Sequence, residues 1–198
     1  MIAVVDSGVA NLTSVMCALQ RLGANAEITF DANKIAAAEK VIVPGVGAAA
    51  PAMRQMRDKN LTGALRALKQ PVLGICLGMQ LLFTRSLEGQ QPVECLNILP
   101  GEVRPLPFAP DAPIPHMGWN QIDPAVKDHP LLRGINKGDY VYFVHSFAAP
   151  RGDYTLATTD YGATFTSVAG ARNFYGCQFH PERSGTIGSK IIENFLRI

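Results

Sequence analysis

Charge of one sign is what this chain lacks most plainly: 18 Lys and Arg stand against 16 Asp and Glu, a formal net charge of +2. No strong field marks it for nucleic acid or for an anionic membrane surface. Cysteine is scarce too. Cys17, Cys76, Cys95 and Cys177 show no C-x-x-C spacing, and a chain of 198 residues with 47% apolar side chains can bury a core without disulfides or a structural metal. Reduced thiols in a cytoplasm are expected. The start, MIAVVDSG, has no basic segment leading into a long apolar run and reads as a first strand rather than a signal peptide. No apolar stretch reaches the roughly 18 residues of a membrane helix; the longest, VLGICLGMQLLF (72–83), contains glycines and Gln80. Neither a G-x-x-x-x-G-K-[ST] phosphate loop nor a complete G-x-G-x-x-G after the first strand is present. One domain, spanning 1–198, is the expectation.

What is there is an alternation of periods. IAVVD (2–6), AEITF (26–30), KVIVPG (40–45) and PVLGI (71–75) are short apolar runs of the kind buried in a parallel sheet. Between them lie helical spacings: Leu12, Val15, Met16, Leu19 and Leu22 before Gly23, then AMRQMRD and LTGALRALK, with LGMQLLFTR following the fourth strand. Five prolines from Pro105 to Pro115 imply an ordered surface loop. Beyond it YVYFVHSFA, TLATTDY, ATFTSVA and NFYGCQFH suggest antiparallel additions, and Ile187, Ile191, Ile192, Phe195 and Leu196 a closing amphipathic helix. The fold class expected is α/β: an open, mostly parallel, flavodoxin-like sheet with helices on both faces and antiparallel strands in the second half.

Gly74-Ile75-Cys76-Leu77-Gly78 follows a strand and precedes a helix, the plan of the G-x-S-x-G nucleophile elbow with sulfur in place of oxygen. A sharp strand-to-helix turn strains the central residue and needs small neighbours where the two elements meet. It presents the side chain outward, beside a helix N-terminus that favours a thiolate, with the Leu77 N–H directed where an oxyanion would form. The competing reading is that Cys76 is a small apolar residue packed beneath a helix.

A thiolate that must later protonate a leaving group needs a base, normally a histidine oriented by a third group. Of four histidines, His116 lies in loop-like PHMGWN, His129 in KDHPLL and His145 inside YFVHSF. His180 differs: Pro181 biases it toward an extended backbone and Glu182 comes two residues later. A zinc site built from these groups lacks a recognisable second ligand pair, so no metal and no cofactor are expected; a solvated strand end is the remaining alternative for the triplet.

GICLGMQ together with GCQFHPE resembles the class I, triad-type glutamine amidotransferases. Within that class VPGVG (43–47), PHMGWN (115–120), YFVHSF and HPERSG resemble the glutaminase subunits of imidazole glycerol phosphate synthase, from VVDSGVANL at the start to ENFL near the end. Ala10 departs from the glycine many members have. The resemblance implies Cys76, His180 and Glu182 as the triad, oxyanion donors at Leu77 and near Val46, glutamine contacts at Gln80 and the backbone around Gly47, His145 and Ser146, and a partner interface at Trp119, Tyr142 and Arg183. It further implies a (β/α)₈-barrel cyclase as heterodimer partner, which would take the ammonia and make imidazole glycerol phosphate and AICAR-ribotide in histidine biosynthesis. Glycines on both sides of Val46 make a peptide reorientation inexpensive, so one oxyanion donor could be supplied only on activation. Rival readings are another class I amidotransferase, a stand-alone cysteine hydrolase acting on γ-glutamyl compounds, and a flavodoxin-like binding module in which Cys76 is inert packing.

Overall fold

The computed structural model describes every residue except 7, 9 and 10, so Ala10 lies outside the described residues. In chain order the elements are β1 (Ile2–Val5), α1 (Leu12–Arg21), β2 (Ala26–Thr29), α2 (Ala32–Ala37), β3 (Lys40–Gly45), α3 (Ala49–Asp58), α4 (Leu61–Ala67), β4 (Val72–Cys76), α5 (Leu77–Gln80), β5 (Phe83–Ser86), β6 (Val93–Glu94) and β7 (Leu99–Pro105). There follow β8 (His116–Pro124), β9 (Asp139–His145), β10 (Phe147–Ala148), β11 (Thr155–Tyr161), β12 (Ala163–Ala171), β13 (Phe174–Cys177) and α6 (Gly185–Arg197), with 3₁₀ turns at Pro130–Leu132 and Pro181–Arg183.

Nine strands form the main sheet in the order β2-β1-β3-β4-β13-β12-β11-β8-β9. From β2 to β13 every pair is parallel, and from β13 to β9 every pair is antiparallel. The change of sense falls at β13, the last strand in sequence, which inserts beside β4. That insertion carries the Gln178–Glu182 segment to the C-terminal end of β4, the edge of an open α/β sheet where ligand sites form. β1 and β4 are buried along their whole length, as expected of strands covered on both faces.

Two apolar cores lie on the two faces of the sheet. One gathers Val43, Met53, Met56, Leu61, Leu65, Phe83 and Leu99; the other Val15, Leu19, Phe143, Phe165, Phe179, Ile191, Ile192 and Phe195. α1 buries Val15, Ala18 and Leu19 and is capped by the Asn11 side chain, which accepts from Ser14 N–H at 3.3 Å.

Two expectations need correction. LGMQLLFTR is not one helix: α5 is a single turn, and Phe83–Ser86 is a strand of a second, four-stranded sheet ordered β10-β7-β5-β6. Leu81, Leu82 and Phe83 are all buried. A short apolar run with no polar face does not reveal its period. PHMGWN is not a loop beyond Pro115: His116–Pro124 is β8, paired residue by residue with β9. The alternation is there but inverted, with His116 buried and Met117 and Trp119 outside, which hides a strand from any search for inward apolar residues.

Candidate active site

Cys76 ends β4 with φ 53° and ψ −112° and begins α5. A non-glycine residue held at positive φ is strained, and strain of this kind clusters at functional sites. The glycines explain how the turn fits. A Cβ on Gly78 would lie 1.7 Å from the Val43 carbonyl oxygen, and one on Gly74 2.7 Å from the Gly78 backbone. The turn of α5 therefore rests directly on β3 and β4. Leu77, as first residue of α5, has an N–H with no partner one turn back, at the position expected of an oxyanion donor.

His180 stands three residues past β13, at φ −97° and ψ 95°, and leads into the 3₁₀ turn Pro181–Arg183. That turn, rather than a continued strand, brings Glu182 Oε1 to 2.8 Å from His180 Nδ1. Both side chains are buried. Burial works against the imidazolium, but the Cys76 sulfur and the Glu182 carboxylate outweigh it and raise His180 to about 10. A carboxylate on Nδ1 leaves Nε2 for the sulfur and for a substrate. By contrast, burial pushes the Cys95 thiol up to about 11 and raises Cys177 as well, which keeps both protonated and unreactive.

Cys76, Leu77, His180, Val46, Gly47, Gln80, His145 and Ser146 line one cavity of about 290 Å³, together with Glu88 and Phe147. The residues implied for catalysis, oxyanion and glutamine contact thus converge on it, except Glu182, which lies behind His180. Gly47 has φ +88° with open space around it, whereas a Cβ on Gly45 would meet Gly78 N at 3.0 Å. Gly47 serves the loop's conformation and Gly45 the close packing under the elbow.

At His145 the resemblance implies a backbone contact, and the ring is taken up by hydrogen bonds at both nitrogens, with Phe147 O at 2.9 Å and His116 Nδ1 at 3.0 Å. What it can offer a ligand is its backbone. Three residues escaped the sequence reading. Glu88 accepts the Ala49 N–H at 2.7 Å, caps α3 from the end of β5 and reaches the cavity. Gln178 is fully buried, accepts from Gln80 Nε2 at 3.0 Å and donates toward Cys76 Sγ at 3.8 Å. His116 is the third. Only Gln178 carried a signal, a polar residue inside the apolar strand GCQF.

Trp119 and Tyr142 are register partners on β8 and β9, with ring centroids 6.0 Å apart, and a Cβ on Gly185, two residues past exposed Arg183, would lie 4.0 Å from the Trp119 ring. Met117 (62% exposed), Trp119 (55%) and Tyr140 (53%) make an apolar outer face at the free edge of the sheet. The Val144 side chain joins it while its carbonyl lies 3.8 Å from Cys76 Sγ, so this face and the thiol share a strand. Among the described residues no group of three His, Cys, Asp or Glu is arranged to hold a metal ion, and no helix is long and apolar enough to cross a membrane.

Comparison with known proteins agrees with this geometry. The family described as "Glutamine amidotransferase class-I" matches residues 3–198. The chain is 51% identical over 208 residues to the imidazole glycerol phosphate synthase subunit HisH of Colwellia psychrerythraea, covering 98% of this chain and 92% of that protein. It is 49% identical to the subunit of the same name from Idiomarina loihiensis, covering 100% and 97%. A crystal structure described as a glutamine amidotransferase superposes with a TM-score of 0.76 over 99% of this chain and 97% of that one, at 18% identity, a likeness of fold alone.

Proposed function

The chain belongs to the class I glutamine amidotransferases and, among them, to the HisH subunits of imidazole glycerol phosphate synthase, and from that premise we propose how its residues hydrolyse glutamine. It is a glutaminase that works as one subunit of a synthase of histidine biosynthesis. The observation that carries the residue assignment is a thiol at a strained strand-to-helix corner, beside a histidine whose far nitrogen is held by a buried carboxylate.

The Cys76 sulfur attacks the side-chain amide carbon of glutamine, and the developing oxyanion takes the Leu77 N–H and a second donor from the loop at Val46. His180, which takes up the Cys76 proton as the sulfur attacks and is stabilised as imidazolium by Glu182, gives that proton to the departing nitrogen. The C–N bond breaks, ammonia leaves, and a γ-glutamyl thioester remains on Cys76. Neutral His180 then takes a proton from water, the hydroxide adds to the thioester, and the sulfur leaves as thiolate with glutamate as product. Glu182 holds one tautomer and stabilises the imidazolium. Gly47, Gln80 and the backbone of His145 and Ser146 hold the substrate, with Glu88 placed to meet its α-ammonium.

The partner reading is a (β/α)₈-barrel cyclase that receives ammonia out of bulk water. It is supported by the exposed apolar outer face of β8 and β9, where Trp119 and Tyr142 pair and, with the exposed Arg183, are of the types enriched at interface hot spots. The unit 1–198 acts as one amidotransferase domain in the cytoplasm. A diazoketone analogue of glutamine tests the assignment: mass spectrometry should find the adduct on Cys76 alone. Modification of Cys17 instead, or of no thiol in the presence of the cyclase, contradicts it.

A further inference from the structure

β8 buries a histidine and half-buries an asparagine where a strand normally buries apolar side chains, and both are tied into one hydrogen-bonded chain. Asn120 Oδ1 accepts the Gln121 N–H at 2.7 Å, which orients the amide; its NH₂ then donates to Asp160 O at 3.0 Å and to His116 Nε2 at 3.2 Å. His116 Nε2 is therefore an acceptor, and in a neutral ring Nδ1 carries the hydrogen. That hydrogen points at His145 Nε2, 3.0 Å away. From the other end, Phe147 O can only accept, so His145 Nδ1, at 2.9 Å, carries its hydrogen and Nε2 is bare. The two ends demand the same pair of tautomers. Phe147 O also accepts from Gln80 Nε2 at 2.8 Å, and Gln80 passes the polarity on to Gln178 and so to Cys76.

We propose that His116 is a positioning residue for glutamine: by donating to His145 Nε2 it fixes the His145 ring in the Nδ1–H form, which with Gln80 saturates the Phe147 carbonyl and holds the Val144–Phe147 wall of the cavity. This rests on the glutaminase reading above. His116 does not line the cavity; it acts through His145. Its ring is clamped between Tyr161, with centroids 3.9 Å apart, and Phe143, at 4.6 Å, so it cannot turn to offer the other nitrogen. Burial lowers His116 to about 4 and His145 to about 3, consistent with a pair that stays neutral, since a proton on either ring would set two N–H groups against each other.

The test uses His116→Phe, which keeps a ring in the Tyr161–Phe143 stack but has no donor, and His116→Asn, whose amide can restore one. In ¹⁵N spectra of the whole chain, His116 and His145 should both show the Nδ1–H tautomer, and His145 should lose that single state in His116→Phe. In the complex with the cyclase, the KM for glutamine should rise roughly tenfold in His116→Phe, because the Val144–Phe147 wall must then be ordered on binding, with kcat little changed and partial recovery in His116→Asn. An Nε2–H tautomer at either ring of the natural chain, or an unchanged KM in folded His116→Phe, overturns the proposal. The spectra need no turnover, so absence of glutaminase activity in the natural chain would instead count against the glutaminase reading.

Discussion

At the residue scale the site depends on one proton held against burial. His180 sits in a buried position that disfavours its charge, and its contacts with the Cys76 sulfur and the Glu182 carboxylate reverse the sign. Replacing Glu182 with Gln removes one of them. His180 should then titrate at lower pH, and because its protonated form delivers the proton to the departing amide nitrogen, the alkaline limb of the kcat/KM profile should move to lower pH with it, alongside a fall in rate of roughly 10²-fold or more. A limb left where it was would mean that another group holds this proton. Cys76, His180 and Glu182 were legible because each rests on local chain chemistry: a glycine-flanked corner, and a histidine separated from its carboxylate by a proline. His116 and Gln178 were not. Their value comes from partners 29 and 98–102 positions away, and nothing in a single sequence records such a pairing.

At the scale of elements, the elbow exists because three backbones approach closely. Gly176 on β13 completes the seat, since a Cβ there would lie 2.5 Å from Met79 Cγ. Gly78→Ala drives a methyl group into a backbone carbonyl, which cannot swing aside as a side chain could. The expected cost is roughly 3 kcal/mol or more, seen as a lowered midpoint in urea unfolding, and loss of glutaminase activity in whatever remains folded. A fully stable, active variant would show that the turn is looser than its geometry. The parallel half of the sheet was readable from its apolar runs, with β1, β3 and β4 close to the expected bounds. β5 hid in a buried run that a helix could have claimed, and β8 hid because its polar side chains point in and its apolar ones out, the pattern of a strand that works on both faces.

At the scale of the whole molecule, the histidines give stability opposite dependences on pH. His116 and His145 are held below their ordinary value in the fold, so the unfolded chain takes up protons below about pH 6.5 that the folded one refuses. Their contribution is complete above about 6.5 and is lost as the pH falls through about 4 toward 3. His180 is held above its ordinary value, so its contribution is complete below about 6.5 and is lost as the pH rises toward about 10. Thermal melts across this range should show His116→Phe with a flatter acid side, by about one proton, and an unchanged alkaline side. Flattening on the alkaline side alone would contradict the assignment of a neutral pair. The topology joins these histidines: β13 brings His180 to Cys76, β9 carries the Val144 carbonyl to the same sulfur, and β8 pairs β9 while showing its apolar face outward.

The most direct measurement is glutamate release from glutamine by this chain alone, then with a barrel cyclase and its ribotide ligand, with Cys76→Ala as the blank. The account predicts release that rises strongly with the cyclase and falls to the blank when the sulfur is removed. Release that the cyclase leaves unchanged would contradict the partnership, and release that survives in Cys76→Ala would contradict the nucleophile itself.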